Sequence, residues 1–107
     1  MDEALDDEDC PPAPIPEGAL AREMRIVNRK GLHARATAKF VLMAERFDAD
    51  ITVTRCGETV GGQSIMGILT LGAWMGTSIT VTALGVQAEE ALSALEALVA
   101  DKFGEGD

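Results

Sequence analysis

Tyrosine is absent from this 107-residue chain, and Phe40, Phe47, Phe103 and Trp74 are its only aromatic rings. A stacking platform for nucleic-acid bases needs several exposed rings beside clustered cations. That class is excluded, and aliphatic and methionine side chains must fill the core. No uninterrupted apolar stretch reaches the roughly 20 residues that a membrane-spanning helix needs. The acidic N-terminus lacks a basic region followed by an apolar run, so it does not read as a signal peptide. A soluble, cytoplasmic protein without membrane insertion is expected. The two cysteines, Cys10 and Cys56, are too few for a disulfide framework and lack metal-ligand spacing, so they read as free thiols in a reducing compartment. His33 is the single histidine, with no carboxylate or thiolate nearby at ligand spacing; neither a metal nor a cofactor is expected. Gly61-Gly62 lacks the pattern of a phosphate-binding loop, and no serine or cysteine nucleophile displays a clear histidine base with an orienting third group.

The formal charge of −9 is unevenly distributed. Residues 1–18 hold seven acids and no base, leaving eleven acids against nine bases in the remainder. Non-specific nucleic-acid binding depends on clustered Lys and Arg that neutralise phosphates, so nucleic acid is not an expected partner. Four prolines and repelling charges in 1–18 give a composition that cannot offset its own ordering entropy. Residues 1–22 are therefore expected to form a loose acidic tail, and residues 23–107 a single domain.

Within that domain, 23–29 reads as a strand with Met24 and Ile26 on one face, followed by a turn over Asn28–Gly31. From Ala34 to Phe47 the residues are good helix formers without Gly or Pro. Ala36, Phe40, Met43, Ala44 and Phe47 form a core stripe, with Ala34, Ala38 and Val41 beside it. Arg35, Lys39, Leu42 and Arg46 remain outward, a basic face interrupted by leucine that suits docking. Residues 51–56 alternate with period two and are β-branched, which predicts a half-buried strand. Gly57-Glu58 should turn it into a partner strand at 59–62. A short apolar helix follows, with Ser64 placed to cap it and Gly72 to end it. The strand 78–84 directs Ile79, Val81 and Ala83 inward, and a last helix over 88–102 carries a stripe of Ala88, Ala91, Leu92, Leu95, Leu98 and Val99. The order β-α-β-β-α-β-α predicts an α+β open-faced sandwich: a four-stranded antiparallel sheet with three helices on one face.

The chemistry concentrates at Asn28-Arg29-Lys30-Gly31-Leu32-His33-Ala34-Arg35-Ala36-Thr37. A helix start offers unpaired N–H groups and the positive end of the macrodipole, which together bind anions. A lone imidazole there can serve as a phosphoryl acceptor if it is neutral, and the helix dipole and Arg35 disfavour imidazolium. After attack, the same groups would stabilise the new negative charge. Read on its residues alone, a single histidine at a helix start is more often structural or merely exposed.

The surrounding letters narrow this. Gly31-Leu32-His33-Ala34-Arg35 followed by Ala36-Thr37-Ala38 resembles the GLHARPA signature of the HPr family, phosphocarriers of the bacterial phosphoenolpyruvate-dependent phosphotransferase system. Ser64-Ile65-Met66-Gly67-Ile68-Leu69-Thr70-Leu71-Gly72 resembles the family's second signature, around its regulatory serine. The likeness runs over about residues 23–103. It implies an HPr-like fold in which His33 takes a phosphoryl group on Nδ1 from phosphorylated Enzyme I and passes it to an EIIA-type protein, in sugar uptake or nitrogen-related regulation. Arg35 matches the family's phosphate-binding arginine, and Ser64 the serine phosphorylated by HPr kinase/phosphorylase. The implied partner surface comprises Lys39, Leu42, Ile65, Met66 and Leu69 on a protein expected to be monomeric and not itself an enzyme. Ala36 replaces the family's proline, and Gln63 stands where relatives often have lysine. The alternatives are a regulatory docking module of the same fold with His33 unused, and a small-ligand sensor.

Overall fold

The computed structural model describes residues 10–105; the most acidic part of the expected tail, residues 1–9, lies outside them. The chain runs β1 (Leu20–Arg25), α1 (Ala34–Ala44), β2 (Asp50–Arg55), β3 (Glu58–Gly61), α2 (Ile65–Thr70), β4 (Ser78–Leu84) and α3 (Ala88–Ala100), then a 3₁₀ turn at Lys102–Gly104. The sheet order is β1-β4-β2-β3, and every neighbouring pair is antiparallel. This is the expected open-faced sandwich. Period-two alternation turns Met24, Ile51, Val53, Ile79, Val81 and Ala83 to the helical side, where they are buried with Phe40, Ile68, Leu92, Leu95 and Phe103. The stripe on α1 is buried at Ala36, Phe40 and Ala44, and Met43 and Phe47 pack at its margin.

Several boundaries shift for identifiable reasons. β1 starts at Leu20 instead of Glu23 and ends at Arg25; beyond it, Ile26 exchanges hydrogen bonds with Thr77 and Gly76 in the loop before β4. α1 stops at Ala44 instead of Phe47 because its last turn tightens, with Arg46 donating to Met43 O and Phe47 to Ala44 O. The hairpin turns at Cys56-Gly57, one residue earlier than expected. Both residues adopt positive φ, 49° and 86°, the combination a two-residue hairpin loop requires, and Arg55 therefore pairs with Glu58.

The reading of the cysteines as free thiols is overturned: Cys10 and Cys56 form a disulfide across 46 residues of sequence. Cys56 sits in the exposed hairpin turn, and the proline-rich segment folds back to it, bringing the two Cα atoms to 4.5 Å. Sequence spacing carries no trace of that proximity.

Candidate functional site at the start of the first helix

The loop entering α1 is fixed from two sides. Gly31 has φ +68°, and a Cβ there would lie 2.6 Å from both Ala73 O and Trp74 Cα, so only glycine fits. Leu32 N–H donates to Ala73 O at 2.8 Å. The fully buried Asn28 donates from Nδ2 to Gly31 O (2.8 Å) and to Glu105 Oε1 (3.1 Å). His33 emerges from this loop as the N-cap of α1, in extended conformation, with Nδ1 accepting from the Arg35 N–H at 3.3 Å. The first intrahelical bond is Thr37 N–H to His33 O, so the N–H groups of Ala34, Arg35 and Ala36 belong to the open, positive end of the helix.

The other ring nitrogen, Nε2, meets Glu105 Oε2. An ionised carboxylate only accepts hydrogen bonds, so this contact assigns the proton of a neutral ring to Nε2 and leaves the lone pair on Nδ1. The Glu105 carboxyl is held below its ordinary range, chiefly by the hydrogen bond from His33; partial burial opposes this, and the Asn28 amide and the fields of His33 and Lys30 reinforce it.

Glu105 reaches the site through three consecutive left-handed residues, Lys102 (φ 57°), Phe103 (φ 55°) and Gly104 (φ 74°). The two that are not glycine each cost roughly 1–2 kcal/mol. Burial of the Phe103 ring and a 2.7 Å bond from Lys39 Nζ to Phe103 O hold the turn against that strain. Lys39, expected on a docking face, is thus tied to the C-terminal turn. An open depression of about 810 Å³ results, in which Arg29, Lys30, Arg35 and Lys39 surround His33 and Glu105 is the one acid.

The second expected centre lies at α2. Ser64 caps that helix by accepting from Gly67 N–H at 3.0 Å. Gly67 permits the approach, since a Cβ there would fall 2.7 Å from Ser64 Oγ. Ser64 and Gln63 are exposed, as are Ile65 and Met66, while Ile68 enters the core and Leu69 is half-buried. α1 packs against α2, but Leu42, 63% exposed, shares its shallow groove with Lys39, Met43, Arg46 and Leu98 of α3. The expected partner residues therefore divide between two helix faces. Sequence reasoning missed Asn28 as more than a turn residue, Glu105 altogether, and Trp74 and Met75, both more than half exposed in the loop that buttresses Gly31. A buried Asn is a signal only once its burial is known; Glu105, 72 residues from His33, gave none.

A family model described as "PTS HPr component phosphorylation site" matches residues 20–101. This chain belongs to the HPr family. It is 42% identical to the phosphocarrier protein HPr of Cupriavidus necator over 88 residues, covering 82% of this chain and 99% of that one. It is also 42% identical to the phosphocarrier protein NPr of Shewanella violacea over 86 residues, covering 80% and 94% respectively. The solved structure of HPr from Thermoanaerobacter tengcongensis superposes with a TM-score of 0.77 at 41% identity, over 80% of this chain and 97% of that one. HPr-family proteins are phosphocarriers of the phosphotransferase system and not catalysts, and both HPr and NPr relatives are similar to this chain. Among the described residues no helix is long and apolar enough to cross a membrane, and no group of three or more His, Cys, Asp or Glu could hold a metal ion.

Proposed function

We propose that His33 is the phosphoryl acceptor, taking the group on Nδ1 from phosphorylated Enzyme I and handing it to an EIIA-type protein. The observation that carries this reading is the division of labour on the ring: Nε2 is held by Glu105 while Nδ1 faces the open helix start. In the transfer the Nδ1 lone pair forms the bond to phosphorus as the donor's bond to phosphorus breaks, and the long 3.3 Å contact from Arg35 N–H gives way. The helix N–H groups and the Arg35 guanidinium then hold the phosphate oxygens through charge-assisted hydrogen bonds. Glu105 keeps the proton on Nε2, so the phosphorylated ring retains imidazolium character and remains a good leaving group for onward transfer.

Ser64 is the regulatory site in this reading. A phosphate there adds about −1.5 to −2 charge at a helix N-terminus, which favours the helix while placing charge and bulk beside Ile65 and Met66 at the partner surface. HPr kinase/phosphorylase is the class of enzyme that would install it. The protein works as a cytoplasmic monomer that docks partners through Leu42, Ile65, Met66 and Leu69, with Lys39 serving the rim of the phosphoryl site.

Incubation with Enzyme I and labelled phosphoenolpyruvate tests the proposal. One acid-labile, base-stable label per chain is expected, absent from His33→Ala. Failure to label the unaltered protein while a known HPr labels in parallel would leave the docking-only alternative.

A further inference from the structure

One face of the sheet carries no helix, yet its centre is not open to water. Thr52, Thr54, Thr80 and Thr82 alternate with the core residues of β2 and β4 and therefore point away from the helices. Thr52 and Thr82 face each other in register and are joined through their hydroxyls, as Thr54 is to Thr59 on β3. A threonine on the free face of an antiparallel sheet is ordinarily solvated. Thr82 is only 1% exposed and Thr54 only 3%, whereas Glu23 on edge strand β1 and Thr59 on edge strand β3 are exposed. The burial is thus confined to the middle of the face.

The segment between Cys10 and Gly18 is placed against this face at both of its ends. At one end Cys10 is bonded to Cys56 in the β2–β3 turn and Pro11 Cγ lies 3.4 Å from where a Cβ of Gly57 would sit; at the other end a Cβ on Gly18 would lie 3.6 Å from Leu84 Cδ1 at the far end of β4. Cys10 lines a small cavity of about 60 Å³ with Thr54, Thr80, Ser78 and Glu23 of the same face. The six steps from Cys10 to Pro16 reach roughly 19 Å in the extended polyproline conformation that prolines 11, 12, 14 and 16 favour, and the six steps of β4 span roughly 20 Å. Only a turn donated from Ala19 N–H to Pro16 O separates the segment from β1.

We propose that Cys10 and Cys56 are a reversible thiol–disulfide site that latches residues 10–18 as a strap across the free face of the sheet. Opening is a two-electron exchange with a dithiol: one thiolate attacks a sulfur of the pair, the S–S bond breaks to a mixed disulfide, and the second thiol displaces the cysteine. The reductant leaves as its own disulfide, and Cys10 and Cys56 each gain a proton. Closing is the reverse, driven by a small-molecule or protein disulfide. Exposure of Cys56 in the turn gives such a reagent access. With the bond cut, the strap has few large apolar side chains to hold it; its one large aliphatic, Ile15, points to solvent at 56% exposure. The threonine face is then uncovered while the helical side keeps its packing.

The full chain is equilibrated with oxidised glutathione or with dithiothreitol, its thiols are counted by alkylation, and the threonine methyl signals are followed with a soluble paramagnetic gadolinium chelate. The expected result is that oxidised glutathione protects both cysteines from alkylation and dithiothreitol releases both. Paramagnetic relaxation of the Thr54 and Thr82 methyls should be several-fold greater in the reduced chain, and Cys10→Ser should behave as reduced in either buffer. Amide signals of α1 and the rate of phosphoryl acceptance should be the same in both states, so loss of the phosphocarrier reading would not disturb this one. Two outcomes overturn the strap: both thiols still alkylating after oxidation, or equal relaxation of Thr54 and Thr82 in the two redox states.

Discussion

Two helix starts in this protein are built on the same local plan and stand in different surroundings. At α1 and at α2 an extended residue presents a side-chain acceptor to a backbone N–H, His33 to that of Arg35 and Ser64 to that of Gly67. Both ends therefore satisfy one orphan donor and leave a positive end exposed. What separates them is their surroundings. His33 stands among four cations and one carboxylate brought from the far end of the chain; Ser64 stands beside Gln63 and two exposed apolar side chains, Ile65 and Met66. A helix terminus alone is an anion site of modest strength, and in the proposed function the added groups separate a site for a phosphoryl group in transit from one that only receives a mark.

The comparison breaks most sharply at Arg35. Arg35→Ala removes a charged donor from the α1 end alone and should slow phosphoryl acceptance by on the order of ten- to a hundredfold, the equivalent of about 1.5–3 kcal/mol. Thermal stability should hardly change, since the side chain is exposed. Rapid-quench kinetics with phosphorylated Enzyme I measures this, and an unaltered rate would assign phosphate binding to the backbone N–H groups alone.

Glu105→Gln sharpens the contrast by keeping a hydrogen-bond acceptor on Nε2 while deleting its charge. Transfer should fall by roughly three- to tenfold, in proportion to about 1 kcal/mol of lost charge assistance. The pH dependence has a definite sign. The folded carboxyl titrates lower than usual, so its contribution to stability is complete above the ordinary glutamate value of ~4.3 and is lost as pH falls through the lowered folded value. The stability difference between wild type and variant should be level at neutral pH and shrink in that acidic window. A difference that failed to shrink in that acidic window would contradict the Glu105–His33 pairing.

At α2 the same logic separates capping from signalling. Ser64→Ala loses the cap and should cost about 1 kcal/mol of stability, with phosphoryl acceptance at His33 unchanged. Ser64→Asp retains a capping acceptor and adds charge at the N-terminus, so stability should hold while transfer slows. Denaturation midpoints together with labelling rates distinguish the two, and an Asp variant transferring at the wild-type rate would remove Ser64 from the partner surface.

How much of this could be read in the letters depends on how local each cause is. The strands 51–56 and 78–84 announce themselves because burial on one face imposes period two. Ser64 is visible because capping acts over three residues. The hairpin register slipped by one because Cys56, not an expected turn residue, takes the left-handed conformation. Glu105 and the Cys10–Cys56 bond were illegible for a different reason. Their partners lie 72 and 46 residues away, and no propensity or spacing rule encodes a proximity that only the assembled sheet and helices create. His33 was legible as an imidazole at the start of α1, but the group that assigns its proton was not.

The smallest expected effect concerns Ala36, where the family's signature carries proline. Ala36 is fully buried in the first turn of α1, ahead of the first intrahelical bond, where a missing N–H costs the helix nothing. Ala36→Pro should therefore stabilise the fold by ~0.4–1 kcal/mol through a stiffer unfolded chain, a rise of a few degrees at most in the melting temperature. Two local features oppose it: the ring needs room at a buried position, and Leu32 O, four residues back, already accepts from Thr37 Oγ1 at 3.2 Å. The same substitution deletes one N–H of the open helix start, so a modest drop in phosphoryl acceptance alongside the higher melting point would identify Ala36 N–H as a phosphate donor. A gain in both would mean that alanine at this position is merely a loss of rigidity.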